Sequence, residues 1–443
     1  MSVRKQFEKH FSEKNLKRIF TEHVIYSGAT GIDNLNQYSF RKQLDEQIQI
    51  LSRKMLAGSY GFTKYRLKLV SKGRGKIPRE IAIPTVRDRI AMRAMCDFLS
   101  ERFESSLNLE LPQNVIASVK NDAYSKKYTG CIKLDVSNFY PSVVHAELES
   151  RLKKRIRDES ILDVIQSAIS SPTVSISKSS DKRAERGVPQ GLAISNVLAA
   201  IYLINIDRYM NAYPNISYYR YVDDILIFCK YKDAEYIAGE VISRFNKIGL
   251  EVHDPIEVPE KSSIGRISKR FDYLGYQFEG NLVTARQATI EKLRTSLVAI
   301  FTSYKHSDKK NEHFLVWRLN LRITGCIFEN KSKGWLFFFS EINDETLLHS
   351  LDHYVKKLIK RFDLKIKPKK FSRAFKELSH RKYETNYIPN FDKYTLDKQR
   401  DVLTHYFNMN ISKYTDEEVT FAFHKRIGKQ VKDLQEDIKD FKY

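Results

Sequence analysis

Apolar and polar residues alternate along the chain with two periods, one helical and one extended. In the first 60 residues an apolar residue recurs every three or four positions, which predicts one face of a helix. The residues of this face are Phe40, Leu44, Ile48, Leu51 and Met55. A further helix is predicted from Asp88 to Leu99, with the acid in the cap position.

Short apolar runs in the middle of the chain predict strands that end at acidic residues. Residues 216–222 predict one strand and residues 225–229 its hairpin partner. Asp223 and Asp224 therefore lie at the tip of the predicted hairpin. The apolar run that ends at Asp135 predicts another such strand upstream. Strands with intervening helices are typical of an α+β fold.

Beyond Thr284 the pattern is helical. The apolar residues of the first helix there are Ile290, Leu293, Leu297, Ile300, Phe301 and Tyr304. A second helical unit contains Trp317 and the aromatic run 337–339, and its aromatic density favours a packed core over stacking platforms. A basic loop at 365–370 leads into a final polar helical segment.

The charge of the chain indicates a partner with a phosphate backbone. Lys and Arg number 76 against 54 Asp and Glu, a formal net charge of +22 that is spread along the sequence. This charge is the electrostatic footprint of a nucleic-acid binder. No apolar run approaches the ~20 residues that span a bilayer, and the polar start lacks a secretory signal. We therefore expect a cytoplasmic protein without a membrane partner.

The three carboxylates at strand ends are candidate metal ligands. Hard cations such as Mg2+ take oxygen ligands, and two ions about 3.5–4 Å apart clamp the attacking and leaving oxygens in nucleotidyl transfer. Asp135 and Asp223 are the primary candidates. Asp224 and the backbone carbonyl of Val136 are further oxygen donors. Taken alone, the Asp223-Asp224 pair is equally consistent with a solvated turn.

Five stretches of the chain resemble, in the same order, the motifs of reverse transcriptases. These stretches are residues 72–89, 131–141, 186–196, 221–224 and 271–276. The third contains Val-Pro-Gln-Gly and the fourth is Tyr-Val-Asp-Asp. Each string is weak by itself, but their shared order across roughly residues 60 to 280 leaves little room for coincidence.

The resemblance implies a nucleotide-binding role for several residues. Lys72 and Arg79 lie on a hairpin similar to the fingers hairpin of bacterial reverse transcriptases, and would bind the triphosphate. A solvated basic loop is the alternative. Gln190 and Gly191 fall in the nucleotide-pocket motif. Tyr140 falls where the family places a ring that clashes with a ribose 2′ hydroxyl, which implies a DNA product.

Two further roles follow from the same resemblance. Lys261 is similar to a loop lysine of the family that can donate a proton to departing pyrophosphate. The stretch 271–276 resembles the primer grip, a segment that contacts the primer strand. The primer-binding residues implied by this stretch are Tyr273, Leu274, Gly275 and Tyr276.

The resemblance also implies the architecture of a right-hand polymerase, an α+β fold with fingers, palm and thumb. We expect an N-terminal helical segment over 1–60, fingers over 61–130 and a palm with the catalytic motifs over 131–284. A helical thumb over 285–360 and a basic helical C-terminal extension over 361–443 complete the expected organisation.

The function implied is RNA-directed DNA polymerisation with two Mg2+ ions and dNTPs. Residues 320–340 resemble the segment after the thumb in defence-associated, abortive-infection reverse transcriptases of bacteria. A noncoding RNA template, and a partner defence protein or homo-oligomer, would follow. The alternatives are a retron or group II intron-type enzyme, an RNA-directed RNA polymerase, and a non-catalytic RNA-binding scaffold of the same fold.

Overall fold

The structure, a computed structural model, describes residues 1–71, 75, 77–107, 110–382 and 384–441. It divides into two compact units. The first comprises Met1–Glu110 and Gly130–Gly265, and the second comprises Leu111–Thr129 and Arg266–Tyr443. Each unit is formed by two separate stretches of chain, because residues 111–129 belong with the C-terminal half.

Helices account for most of the regular structure. They are α1 (Val3–His10), α2 (Glu13–Ile19), α3 (Gln37–Arg41), α4 (Leu44–Leu56), α5 (Val86–Phe103), α6 (Pro112–Tyr124), α7 (Phe139–Ser142), α8 (His145–Lys153), α9 (Glu159–Ser170), α10 (Ser195–Asn211), α11 (Ala234–Lys247), α12 (Gln287–Lys305), α13 (Glu312–Thr324), α14 (Trp335–Phe338), α15 (Glu345–Arg361), α16 (Phe371–Arg381), α17 (Leu396–Asp401) and α18 (Asp416–Gln435). Single π-helical or 3-10 turns lie at Phe20–Val24, Glu104–Ser106, Tyr231–Asp233, Phe391–Lys393, Val402–Tyr406 and Glu436–Phe441.

The strands form small, mostly antiparallel sheets. They are β1 (Tyr65–Val70), β2 (Arg79–Ile83), β3 (Gly130–Asp135), β4 (Thr173–Val174), β5 (Ser217–Tyr221), β6 (Asp224–Cys229), β7 (Ser263–Arg266), β8 (Phe271–Tyr273), β9 (Tyr276–Glu279), β10 (Leu282–Ala285), β11 (Cys326–Phe328) and β12 (Lys331–Lys333). The strand orders are β2-β1-β4, β5-β6-β3-β7, β10-β9-β8 and β11-β12. The predicted α+β fold class and the helical C-terminal region are thus confirmed.

Strand β6 lies inside the four-stranded sheet, between β5 and β3. Its residues 225–229 are buried, and helices α10 and α11 pack against the neighbouring strands β5 and β3. A continuous apolar run is expected in a strand that is covered on both faces. The hairpin predicted from the sequence is confirmed, and its second strand begins at Asp224, one residue earlier than expected.

Strands β1 and β2 form the second predicted hairpin. They pair antiparallel, from Arg66 opposite Ile83 to Val70 opposite Arg79. The short strand β4 adds to β1 in parallel. The basic turn between β1 and β2 contains Lys72, which lies outside the described residues, so its predicted contact with a triphosphate stays a prediction.

Helix α5 begins before the position predicted from its acid. The hydroxyl of Thr85 accepts a hydrogen bond from the backbone N–H of Asp88 at 3.2 Å, so Thr85 is the cap. The prediction that Asp88 caps the helix is wrong. Its carboxylate is buried instead and accepts from the hydroxyl of Tyr60 at 2.6 Å. Burial raises the pKa of Asp88, while hydrogen bonds from Thr63 and Tyr60 lower it.

Helix α6 belongs to the second unit although first-unit residues flank it in sequence. Lys120 Nζ donates to the carbonyl of Glu341 at 3.1 Å, and the Tyr124 hydroxyl donates to the carbonyl of Asn281 at 2.8 Å. The apolar side chains that α6 buries are Val115, Ile116 and Val119. Partners of this helix therefore lie far along the chain.

The region after Thr284 is not purely helical, in contrast to the prediction. Strands β11 and β12 pair antiparallel around a turn at Glu329 and Asn330, which have φ of 54° and 55°. The Asp392 carboxylate accepts from both backbone N–H groups of this turn at 2.8 Å. Strands of three residues are too short to produce a recognisable alternation in the sequence.

A buried ion pair lies within the second unit. Arg322 Nη1 donates to Asp437 Oδ2 at 2.6 Å, and both side chains are almost fully buried. The pair adjoins an apolar cluster that helices α13 and α18 share, with Leu321, Phe423 and Ile427 among its members. Within the described residues, no helix combines the length and apolar character needed to cross a bilayer.

Candidate active site

Three acidic residues lie where strand β3 ends and strand β6 begins. Asp135 is the last residue of β3 and Asp224 the first of β6, and the two are direct partners across the antiparallel ladder. Side chains of directly opposite residues have Cβ atoms about 4.5–5.5 Å apart. Asp223 precedes Asp224 in the turn between β5 and β6. The structure therefore brings together the three acids that the sequence selected.

The Asp135 carboxylate is held by two basic side chains. Lys261 Nζ lies 3.0 Å from its Oδ2, and His253 Nε2 lies 3.6 Å from the same oxygen. The backbone is fixed as well, since the N–H of Asp135 donates to the hydroxyl of Ser262 at 3.1 Å. Lys261, selected by resemblance, is thus placed at the acids.

The carbonyl of Val136 is placed by the chain that follows Asp135. Val136 forms an isolated antiparallel bridge with Val252. The two hydrogen bonds that flank this bridge run from His253 N–H to the Asp135 carbonyl at 3.0 Å and from Ser137 N–H to the Glu251 carbonyl at 2.8 Å. Neither bond uses the Val136 carbonyl, and so its proposed role as an oxygen donor is compatible with this backbone.

The turn that carries Asp223 is strained and clamped. Val222 has φ of 57°, a conformation that costs a β-branched residue about 1–3 kcal/mol. The guanidinium of Arg220 donates to the Val222 carbonyl at 2.8 Å and forms a two-pronged ion pair with Asp207. Tyr218 adds a hydrogen bond to the same carboxylate at 2.9 Å. The clamp fixes the turn in its strained conformation.

Electrostatics at the acids favour a bound cation. Burial raises the pKa of Asp224 to about 7, and the charges of Asp223 and Asp135 add to the rise. Among the described residues, no three His, Cys, Asp or Glu side chains are grouped as a ready-made metal site. The donor chemistry nevertheless fits Mg2+, because the acids supply hard oxygen ligands and repel one another in the absence of positive charge.

Tyr140 lies beside the acids in the short helix α7. It is almost fully buried at 4% exposure, and its hydroxyl donates to Asn196 Oδ1 at 2.7 Å. Burial raises the pKa of Tyr140, with the charge of Asp223 adding to the rise and that of Arg79 opposing it. The charges of Asp223 and Arg79 therefore both act on the Tyr140 hydroxyl, and the role of Tyr140 and Arg79 in nucleotide binding stays a prediction.

The loop of Gln190 and Gly191 packs against strand β2. The backbone N–H of Ala82 donates to the carbonyl of Gln190 at 2.7 Å. Gly191 has φ of 98°, and a Cβ built on it would lie 2.7 Å from Cγ2 of Ile81. The backbone at Gly191 thus lies close to β2, the strand that begins with Arg79.

The primer-grip residues lie in the second unit. Leu274 and Gly275, with φ of 45° and 81°, form the turn between β8 and β9. Tyr273, Leu274 and Tyr276 are buried, and the Tyr276 hydroxyl donates to the carbonyl of Phe338. Their proposed contact with a primer stays a prediction.

Sequence reasoning missed the residues that support the acids. Arg220 and Asp207 hold the turn that contains Asp223, and Asn196 holds the Tyr140 ring. His253 lies next to Asp135. One signal was available for Arg220, a charged residue within the extended run Ser217–Tyr221. Asp207, Asn196 and His253 are distant in sequence from the residues that they contact, and the periodicity of the sequence does not reveal such contacts.

Comparison with known families locates a reverse transcriptase domain in the chain. Residues 70–278 match the model of the family described as Reverse transcriptase (RNA-dependent DNA polymerase). This segment, just under half of the chain, contains all three acids as well as Tyr140 and Gln190. The resemblance stated from the sequence is confirmed at this level. A domain of this family is that of an RNA-directed DNA polymerase, a nucleotidyltransferase.

A bacterial relative matches part of the chain. Protein YkfC of Escherichia coli (strain K12) is 28% identical over 192 residues, which cover 41% of this chain and 50% of that protein. The chain thus spans about half the length of this relative.

Solved telomerase structures show weaker similarity. Apo telomerase from Candida tropicalis has a TM-score of 0.43 and 14% identity, covering 86% of this chain and 65% of that chain. Telomerase from Candida albicans, in complex with a TWJ fragment of telomeric RNA, has a TM-score of 0.42 and 12% identity, covering 92% and 70%. Similarity at this level is too low to transfer a function.

Proposed function

We propose that the protein is an RNA-directed DNA polymerase that copies an RNA template into DNA from dNTPs, using two Mg2+ ions. The observation that carries this proposal is the direct pairing of Asp135 with Asp224 across β3 and β6, with Asp223 next to Asp224 in the turn. They lie within a reverse transcriptase domain, with Tyr140 as an electrostatic neighbour.

The acids have the role of metal ligands in this proposal. Asp135, Asp223 and Asp224 would hold the ions, with the Val136 carbonyl as a further donor. Mg2+ bound by these residues would lower the pKa of the primer 3′ hydroxyl and neutralise charge on the triphosphate. The ammonium of Lys261 lies at Asp135, and a cation held by that carboxylate would replace it there. We assign Lys261 the donation of a proton to the departing pyrophosphate.

Sugar selection is assigned to Tyr140. Tyr140 is held at its backbone and at its hydroxyl. Its backbone carbonyl accepts a hydrogen bond from Val188 N–H at 2.9 Å, and its hydroxyl donates one to Asn196. A ring held in this way excludes a ribose 2′ hydroxyl by contact. Arg79 is assigned to the triphosphate, since a guanidinium binds phosphate oxygens in a two-pronged arrangement.

The biological setting is also a proposal. The segment 320–340 resembles that of the defence-associated reverse transcriptases, which supports a cytoplasmic role in bacterial antiphage defence. The template would then be a noncoding RNA. A partner defence protein or a second copy of the chain would be a further binding partner. Sequencing the nucleic acid that copurifies with the protein identifies the template. A phage challenge of cells carrying the wild type or Asp223→Ala tests the setting.

The activity is tested by dNTP incorporation on a primed RNA template with Mg2+. Asp135→Ala and Asp223→Ala should abolish incorporation while RNA binding and the circular dichroism spectrum stay unchanged, because only metal ligands are lost. Asp224→Ala should be severe with residual activity. Asp233→Ala is the matched control, an exposed acid of the same unit that should keep wild-type activity.

The outcomes separate the alternatives. Wild-type incorporation by Asp223→Ala would end the metal assignment. Incorporation of NTPs in preference to dNTPs would favour an RNA-directed RNA polymerase. RNA binding without incorporation by the wild type would favour the non-catalytic scaffold.

A further inference from the structure

The second unit contains a basic cavity of about 660 Å3 beside helix α16. Three cations line it, Lys369, Arg373 and Arg381, against two acids, Glu377 and Glu384. Arg373 Nε lies 3.7 Å from Glu377 Oε1, so part of this charge is balanced within the wall. The remaining excess is positive, and Arg373 and Arg381 are exposed. An anion can therefore reach them from solvent.

Lys369 and Arg373 are held close to each other over one ring. Lys369 Nζ and Arg373 Cζ lie 4.9 Å and 4.8 Å from the centroid of the Tyr387 ring. Lys369 is half-buried, and its Nζ also donates to the Tyr387 carbonyl. Burial lowers the pKa of Lys369, and the charge of Arg373 lowers it further. Two cations that repel each other in this way gain from an anion placed between them.

A second cavity, of about 440 Å3, adjoins the first, since Lys369 lines both. Three partly exposed aromatic residues, Trp317, Tyr394 and Tyr406, line it. The rings of Trp317 and Tyr406 are stacked, with centroids 5.5 Å apart and planes at 24°. Asn320, one turn from Trp317 on α13, accepts from the backbone N–H of Lys369 at 2.7 Å. This bond ties the aromatic wall to the basic wall.

We propose that the two adjoining cavities form a subsite for one nucleotide of a single-stranded nucleic acid, with its phosphate in the basic cavity and its base in the aromatic cavity. Sites for single strands combine cationic grooves with aromatic side chains in this way. The inference rests on the proposed function, because it names where the second unit holds a strand that the polymerase handles. It adds a proposed ligand contact for Trp317, which also packs against the apolar cluster of this unit, as its aromatic surroundings predict.

The chemistry of both walls favours a nucleotide over an acidic peptide. A peptide carboxylate would satisfy Arg373 and Arg381 but would leave the aromatic cavity unfilled. The small positive excess suits a single phosphodiester rather than a run of carboxylates. A base brings an apolar face for Trp317 and polar edges for Asn320 and Lys398, which also line that cavity.

The test measures fluorescence anisotropy with three labelled probes: an oligouridylate, the matching oligothymidylate, and a strand of the same length with abasic sugars. The double variant Arg373→Gln and Arg381→Gln should weaken binding of all three probes and reduce the salt slope by roughly one to two. Trp317→Leu should weaken the base-bearing probes by roughly tenfold and leave the abasic probe unchanged. Tyr406→Leu provides the same comparison with a smaller change at the core.

The matched control removes the same charge from helix α15 of the same unit. Lys356 and Lys357 are exposed there, and the double variant Lys356→Gln and Lys357→Gln should leave the discrimination between uridylate and abasic probes intact. A selective loss with RNA or with DNA identifies which strand is held. Equal loss of both supports the subsite for either.

Two results would overturn the proposal. One is a Trp317→Leu and Tyr406→Leu pair that binds base-bearing and abasic probes with the wild-type ratio. The other is equal competition by polyglutamate and oligouridylate, which would assign the cavities to an acidic peptide. Incorporation of dNTPs on a primed template is measured in parallel. If the wild type incorporates no dNTP but the variants show these binding losses, the proposed polymerase activity is refuted and the proposed subsite is supported.

Discussion

Replacing Gly191 by Ala tests whether the nucleotide-pocket loop depends on its close approach to strand β2. The backbone of Gly191 has φ of 98°, which residues with a side chain rarely adopt. The new Cβ would lie 2.7 Å from Cγ2 of Ile81 and 3.1 Å from the carbonyl oxygen of Ala82. Both the conformation and the contact therefore oppose the substitution.

The magnitude follows from these two terms. A backbone held in a sparsely populated region costs about 1–3 kcal/mol. An added methyl group in a filled space costs about 1–3 kcal/mol. Ile81 is partly exposed and can turn aside, whereas the Ala82 carbonyl belongs to a strand paired with β1. We expect the free energy of unfolding of the first unit to fall by about 2–4 kcal/mol.

The functional consequence is specific to the nucleotide. A loop pushed away from β2 loses the hydrogen bond from Ala82 N–H to the Gln190 carbonyl. Gln190 and Gly191, to which we assign the incoming nucleotide, would then be misplaced, while the acids at β3 and β6 keep their positions. The KM for dNTP should rise more than kcat falls.

Urea denaturation and steady-state incorporation measure the two effects. Gly239→Ala is the matched control, because Gly239 lies within helix α11 and nothing lies within 4 Å of a Cβ built there. That variant should gain about 0.5–1 kcal/mol and keep the wild-type KM. If Gly191→Ala unfolds at the wild-type urea concentration with an unchanged KM, the close approach has no role and the reasoning fails.

The remaining predictions concern the acids and their supports. Tyr140→Val should raise CTP incorporation relative to dCTP, while Tyr140→Phe, which keeps the ring, should change the ratio much less; an unchanged ratio in Tyr140→Val would place sugar selection elsewhere. Burial raises the pKa of Asp224 to about 7 from an ordinary 3.8, so the folded metal-free protein binds this proton more tightly than the unfolded chain and loses stability as pH rises through 7. Asp224→Asn should therefore be more stable than wild type in EDTA at pH 8, with the difference shrinking towards pH 5; a less stable variant at pH 8 would contradict this. Arg220→Lys cannot keep both the pair with Asp207 and the bond to the Val222 carbonyl, so single-turnover incorporation should slow by roughly tenfold to a hundredfold with the fold intact by circular dichroism. A wild-type rate would show that the clamp is dispensable.

The sequence predicted the features that depend on residues close together in the chain. The strand that ends at Asp135 and the strand that begins at Asp224 could be predicted because apolar runs stop at acids, and the motif order indicated a reverse transcriptase. That Asp135 and Asp224 are direct partners could not be predicted, since antiparallel register depends on contacts between distant segments. The strain at Val222 is hidden for the same reason, because it exists only while Arg220 and Asp207 hold the turn.

Other failures have equally local causes. Asp88 looked like a helix cap because it precedes an apolar run, but Thr85 takes that role and frees Asp88 to be buried with Tyr60. The hairpin at 326–333 has strands of three residues, which carry too few positions to show a period. The packed core that aromatic density predicted is present, since the rings of the run 337–339 are buried and Trp317 packs against an apolar cluster.

The membership of helix α6 in the second unit has a consequence for synthesis on the ribosome. Lys120 and its partner Glu341 are 221 residues apart, and translation adds about 5–20 residues per second. The residues that contact α6 in the folded protein are therefore synthesised roughly ten to forty seconds after the helix itself. During that interval the apolar face of α6 is exposed on the nascent chain, where a chaperone can bind it. A fragment that stops at residue 265 would carry the same helix permanently unshielded and should aggregate.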